Sequence, residues 1–515
     1  MGLIDIVSKV APGYANRYAL NKLAYEVNSK AAKRSQRLYD AATSTQYRKT
    51  INGAGQSPDN LIAQAGTKLR DMARHLEENH DLTNAIFDDL LNNTIGAGVS
   101  KTPMAKTNTG ELAKDLNDLL LELFDEFAQS PDTANEFGFE SLERQIGRHY
   151  FRDGEIFIRP MVANSRFSYK TGIPFVLDLL PAEYCPMEYD QLANGINLGV
   201  KVNQWGAPQT YYFHKNHPSD VYQPASVIAT QVTGVSAANV MHIKLTKRIK
   251  QRRGVTLIHS VVNAMQDVKD ALESERIAAK VAADFTFAIT KSSEVSGPTT
   301  INGDGNRSFG MTAGMGFELL PGEDVKTIAS DRPNSGLNDF IKGLMRNVAG
   351  GTGTRYSAIS KDYNGTYSAQ RQELVEGTIG YRSHFVHLKR KFYAPMWEQF
   401  VFAAVQSGRV PVNLLRGVDR STLARCEFRP PSLPWIDPQK EAKAWQTLVE
   451  AKLESRQEIM RSRSRDPSKV IEEMQAEADN DLFGSMIESG AEDAQATLDN
   501  DNADTEQNDD ESNAA

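Results

Sequence analysis

The chain has 515 residues, 40% hydrophobic and 24% charged, with a formal net charge of −8. That composition supports one large core or several smaller ones, and the length suggests three or four domains. No run of eighteen apolar residues is present to span a bilayer. Met1–Ile6 lacks the basic start of a secretory signal, and Ile6 stands where myristoylation needs Ser or Thr, so the chain reads as soluble and cytoplasmic.

The charge is unevenly spread. Residues 471–515 hold fifteen Asp and Glu and no Lys or Arg, which leaves 58 basic against 51 acidic residues in the body. The first fifty residues carry nine basic and three acidic side chains. A basic body with an acidic tail suits weak handling of nucleic acid, or simply two solvated ends. Cys185 and Cys426 are far apart and without metal-ligand spacing, which excludes a disulfide or zinc framework.

In chain order, residues 1–59 read as a basic arm ending in the breaker cluster Asn52–Pro58. Leu69, Met72, Leu76, Leu82, Ile86 and Leu90 have helical spacing, as do Leu116, Leu119, Leu120, Leu123 and Phe127, and Ser141–Phe151 continues the helical series. The period then shortens. Glu155–Arg159, Phe175–Leu180, Gly199–Val202, Thr210–Phe213 and Val240–Ile243 read as short strands divided by Gly, Pro and Asn, giving an α+β domain over 60–250. From Val255 to about Phe287 the pattern predicts one helix of about 50 Å, with Ile258, Val261, Val262, Met265, Val268 and Leu272 as its apolar stripe. Such a helix needs partners along its length, from its own chain or from neighbouring copies.

A polar, glycine-rich excursion covers Ser292–Gly316, followed by a strand candidate at Phe317–Leu320 and a helix at Leu337–Val348. A second very long helix is expected from Ser368 to Ser407, bent at Pro395, with the stripe Leu374, Tyr381, Phe385, Leu388, Phe392, Met396 and Phe400. Arg425–Phe428 is strand-like. Helices are expected over Gln439–Arg461 and Asp466–Gln475, and the acidic tail beyond Asn480 reads as disordered.

Catalytic constellations are poor. Gly350–Thr354 follows a helix and lacks the Gly-Lys-Ser/Thr end of a phosphate loop. Asp153 and Glu155 lack the trailing Lys of a nuclease pair and read as a turn plus a strand. His384 and His387 could share a metal by spacing, but no third ligand is evident. No zinc finger, aromatic RNA-binding sheet or basic zipper is present, so any DNA contact would go to phosphates without base information.

The stretch from Phe340 to Leu374 carries a resemblance. An amphipathic helix ends in Ala349-Gly350, Tyr356 follows, then Ile359-Ser360-Lys361-Asp362-Tyr363, then Tyr367-Ser368-Ala369-Gln370-Arg371 opens a long helix. This resembles the signature of lambda-type tailed-bacteriophage portal proteins, with Gln370 as a one-residue departure. Arg152–Ile158, Leu180–Glu183, Leu320–Glu323 and Trp435–Glu441 resemble further family elements in the same order; Lys452–Ser455 lacks the Gly of another.

The resemblance implies an α+β, mainly helical portal fold with wing, stem, clip and crown, assembled as a ring, usually a dodecamer in this family. Carried onto this chain, the arm is 1–59, the wing 60–250, a stem helix 251–289, the clip 290–325 and a second stem helix 326–349. The tunnel loop is then 350–367, a long wing helix and return strand 368–434, a helical crown 435–480 and the acidic tail 481–515. The implied role is the channel through which double-stranded DNA is packaged and ejected. Implied partners are the terminase large subunit, a head–tail adaptor and the major capsid or scaffolding protein, with no membrane, no cofactor and no catalysis. The place would be the portal vertex of the virion, and the host cytoplasm during assembly. Mixed charges on the first stem helix, with Lys269, Arg276 and Lys280 among acids, suit a channel in which DNA slides. Arg355 and Lys361 in the tunnel loop are candidates for transient phosphate contact; solvated side chains are the alternative for these two. A smaller head–tail structural protein and, further off, a nucleic-acid enzyme are the competing readings.

Overall fold

The computed structural model describes residues 22, 55–163, 169–219, 232–284, 288–291, 323–326, 336–432, 438–463 and 467–479. Met1–Leu61 and Ile62–Ala515 are separate compact units, and the second holds the hydrophobic core. The expected strand at Phe317–Leu320, the Trp435–Asp437 element and the acidic tail lie outside the described residues.

The first helical pattern is two helices, α1 (Pro58–Asn79) and α2 (Asp81–Thr94). His80 makes the break. Its Nδ1 accepts from the Leu82 N–H at 3.3 Å, and its Nε2 donates to the Met265 carbonyl at 2.9 Å. One side chain thus caps a helix and ties it to a residue far along the chain. Next come β1 (Ser100–Pro103), α3 (Lys114–Ala128) and α4 (Phe139–Arg152).

The strand region comprises β2 (Glu155–Val162), β3 (Phe175–Pro181), β4 (Ile196–Asn197), β5 (Val200–Val202), β6 (Pro208–His214), β7 (Val232–Ser236) and β8 (Met241–Lys244). It forms an antiparallel three-stranded sheet in the order β3-β2-β8 and a four-stranded sheet β4-β5-β6-β7. Central β2 buries Glu155–Ile158 without a break, as a strand covered on both faces must.

The long helix predicted from Val255 is α5, Val262–Asp284. Its entry is taken by a 3-10 turn at Leu257–Ser260, because the chain first crosses the β2 turn at van der Waals distance. A Cβ on Gly154 would lie 2.2 Å from the Val255 carbonyl carbon, and one on Gly254 would lie 2.0 Å from the Gly154 oxygen. Gly154 also has φ +84, so only glycine serves that crossing. Two short strands, β9 (Ala288–Lys291) and β10 (Glu323–Lys326), pair antiparallel, and the expected glycine-rich excursion between them lies outside the described residues.

The second half opens with α6 (Leu337–Thr352), which packs on α5. Gly350 and Gly351, expected outside the helix, belong to α6, which ends at Gly353 in left-handed conformation. The segment after it is partly helical, with α7 at Tyr356–Ser360. The second long helix is α8 (Tyr367–Leu388), a π-turn (Lys389–Tyr393) and α9 (Ala394–Gln406). Pro395 supplies no N–H to the carbonyl four residues back, and the wider turn just before it absorbs that mismatch. The predicted stripe from Tyr381 to Phe400 is buried. A short α10 (Val412–Leu415) leads to β11 (Cys426–Arg429), which pairs with β1. The expected Gln439–Arg461 helix is broken into α11 (Pro438–Glu450) and α12 (Arg456–Ser462), with Ser455 capping the second. The last is α13 (Pro467–Asp479).

An aromatic cluster anchors the core where α3, α4 and α9 meet. Phe124 lies edge-on to Phe139 at 5.0 Å and to Phe400 at 5.1 Å, with Trp397 at 5.4 Å. Each such pair adds roughly 0.5–1.5 kcal/mol beyond its buried area. Among the described residues, no helix is long and apolar enough to cross a membrane.

Candidate functional site

The N-terminal part of α5 packs its stripe inward: Val262, Met265 and Val268 are buried. From Lys269 to Lys280 no residue is buried, and Leu272 and Ile277 are about half exposed. Lys269, Arg276 and Lys280 share this uncovered stretch, and spacings of seven and four put them on one helix face. The Lys269 Nζ donates to the Asn79 carbonyl at 3.0 Å, and Arg276 lies 3.6 Å from Glu273. Lys280 is exposed.

Arg355 has a different setting. Its guanidinium donates to Asp89 of α2 at 2.6 Å, and Tyr381 of α8 donates to the other Asp89 oxygen. Burial opposes its charge, but Asp89 outweighs burial and holds the guanidinium above its ordinary value. Arg355 therefore ties the segment after α6 to two other helices. Lys361, in left-handed conformation at the end of α7, is exposed. It lines a cleft of about 560 Å³ with Asp88, Asn92, Ser357 and Tyr363. The structure brings Arg355 and Lys361 to this one cleft, while Lys269, Arg276 and Lys280 lie together on α5.

The acid pair Asp153 and Glu155 has become two buried ion clusters. Glu155 accepts from Arg253 at 2.6–2.8 Å, from His242 at 3.0 Å and from the Gly254 N–H at 2.8 Å. The Arg253 guanidinium, fully buried, also donates to the carbonyls of Ala182, Cys185 and Leu198. Burial disfavours the Glu155 carboxylate, yet Arg253 and His242 keep it well below the usual range. His242 is pushed down to about 4 by burial, against its bond to Glu155, and stays neutral at pH 7. Asp153 is likewise held low despite burial by Arg74, His149 and Arg152, and Arg74 also reaches Glu183 at 2.7 Å. The buried Glu155 and Arg253 thus satisfy one another together with His242 and backbone groups.

His384 and His387 meet an aromatic wall. Tyr150 stacks on His387 with centroids 5.6 Å apart, and Phe151 lies edge-on to His384 at 5.1 Å. Burial pushes His384 down to about 4. Among the described residues, no group of three His, Cys, Asp or Glu could hold a metal. Cys185 is buried and Cys426 partly so, both as free thiols.

A family profile described as phage portal protein, lambda family, matches residues 45–383. The chain belongs to that family. The probable portal protein of Halomonas phage phiHAP-1 is 23% identical over 440 residues, 81% of each chain. Similar solved structures include the virion of a native gene transfer agent particle, at 13% identity and TM-score 0.43, over 80% of this chain and 100% of that one. The neck of the same kind of native particle, computed with C12 symmetry, matches at 13% identity and TM-score 0.41, over 78% and 94%. Portal proteins are a structural family. The sequence reading did not foresee that Glu155 pairs with Arg253, in a cluster apart from that of Asp153. The tight Arg-Asp-Gly-Glu run was a signal for it, but its partner Arg253 lies about a hundred residues away.

Proposed function

We propose that this chain is the repeating subunit of a ring whose central channel passes double-stranded DNA into and out of a phage head. The supporting observation is the half-covered helix α5, which leaves cations and the apolar Leu272 and Ile277 exposed beyond Val268. α6 leaves Phe340 exposed, and α8 leaves a second apolar stripe, Val375, Ile379 and Val386, opposite its buried one. Monomeric soluble proteins rarely leave such faces open, and contacts repeated around a closed ring would cover them. A dodecamer is the family's expected number.

Within this reading Lys269, Arg276, Lys280 and Lys361 supply weak, sequence-independent phosphate contacts, and Arg355 positions the segment that carries Lys361. The segment around β9 and β10 (290–325) is the docking end for a terminase motor and later a tail connector, and the helices after Pro438 form the crown. The ring belongs to the virion vertex and assembles in the host cytoplasm. Negative-stain microscopy of the purified full-length protein tests this: closed rings with a central hole are expected, and a monomer under every condition would sink it.

A further inference from the structure

The chain leaving β8 is unusually basic. Residues 241–260 contain six Lys and Arg and no Asp or Glu, and residues 381–397 contain four and none. The fold brings the two together, since the π-turn Lys389–Tyr393 packs on β8.

The first of these segments is a built loop. The Gln251 side-chain amide donates to the carbonyls of Leu245 (3.2 Å) and Arg253 (2.7 Å), and its oxygen accepts from the Lys247 N–H at 3.2 Å. The Lys244 ammonium closes the base by donating to the carbonyls of Gln251 (2.7 Å) and Arg252 (2.8 Å). Arg253 is locked onto Glu155, the carboxylate beneath the loop. The tip, Lys247-Arg248-Ile249-Lys250, is exposed on a backbone already held in shape, so binding there orders side chains and little main chain.

In the π-turn that packs on β8, Arg390 and Lys391 are exposed. Two nearby histidines report the local charge. Burial lowers His387, and Lys391, Arg390 and Lys244 lower it further; burial lowers His259, with Lys247 adding to it. The aromatic residues of these segments, Tyr381, Phe385, Phe392, Tyr393 and Trp397, are all buried. The surface therefore offers cations and no stacking platform, which fits a duplex backbone and not splayed single-strand bases.

We propose that Lys247, Arg248 and Lys250 with Arg390 and Lys391 form a second binding face for the phosphate backbone of duplex DNA, separate from the cations of α5 and Lys361. This rests on the reading that the subunit handles duplex DNA. Ile249, 91% exposed at the tip, is the feature that an acidic protein partner would use instead.

The test uses the full-length protein and a short labelled duplex of random sequence, with binding followed by fluorescence anisotropy over a salt series. Lys247→Ala/Arg248→Ala/Lys250→Ala should weaken binding at least about tenfold at low salt and reduce the slope of log K against log salt by about three. Arg390→Ala/Lys391→Ala should reduce it by about two, while Lys247→Arg/Lys250→Arg keeps the wild-type slope. Melting curves matching wild type show that the variants fold. Unchanged slopes in both alanine variants, with binding lost on Lys269→Ala/Arg276→Ala/Lys280→Ala, would overturn this face and leave the proposed channel standing. No binding by wild type would remove both. Poly-glutamate displacing the DNA, with Ile249→Ala weakening the peptide and not the DNA, would assign the face to an acidic protein and overturn the proposal.

Discussion

At the residue scale, the charges that mattered most are buried ones. Arg253 and Glu155 are fully enclosed, and each satisfies the other's hydrogen bonds together with His242 and three carbonyls. Replacing one partner strands the other. Arg253→Met should therefore cost about 3–5 kcal/mol in chemical denaturation, and adding Glu155→Gln should recover part of it. A loss under about 1 kcal/mol would show the pair to be peripheral. His384 sets a pH dependence. It is held at about 4 in the fold, against an ordinary value of 6.5. Between those values the unfolded chain binds the extra proton, so stability falls as pH drops from 6.5 towards 4. His242 acts in the same window, and the depressed Asp153 and Glu155 extend the loss to lower pH as they are protonated. His384→Phe should flatten that slope by on the order of 2 kcal/mol across the window, read from melting temperatures in a pH series. An unchanged slope would mean that His384 is not held neutral by burial.

At the element scale, most differences from the sequence pattern have a tertiary cause. The break at His80 follows from its bond to the Met265 carbonyl, and the late start of α5 follows from the Gly154–Gly254 crossing. Neither partner is local, so no helical window could contain the information. Gly154→Ala should destabilise by more than about 2 kcal/mol, because a positive φ and a backbone clash act together. Urea unfolding with an unchanged m-value measures it; a wild-type midpoint would show that the crossing relaxes freely. An irregularity at Pro395 was legible, and it takes the form of the π-turn just before it, because proline's missing N–H is a local property.

At the scale of the whole molecule, the proposed ring would cover the exposed Phe340 of α6 and the exposed apolar stripe of α8 with copies of the same chain. Phe340→Asp and Ile379→Asp should leave the subunit folded by circular dichroism yet shift it from ring to monomer in sedimentation velocity. Rings of full size in both variants would place the contact elsewhere. The five channel candidates divide at this scale: three line one exposed face of α5, Lys361 is exposed, and Arg355 is committed to Asp89 within its own subunit.

The family, the helical stripes and the strand region could all be read along the chain, because periodicity and short ordered motifs are properties of neighbouring residues. Folding in three dimensions settled the rest: which charges are buried in pairs, which are presented to solvent, and that β8 meets the π-turn of a helix more than a hundred residues on. Burial and ion pairing depend on what distant parts of the chain place nearby, and a charged side chain has the same letter in either setting.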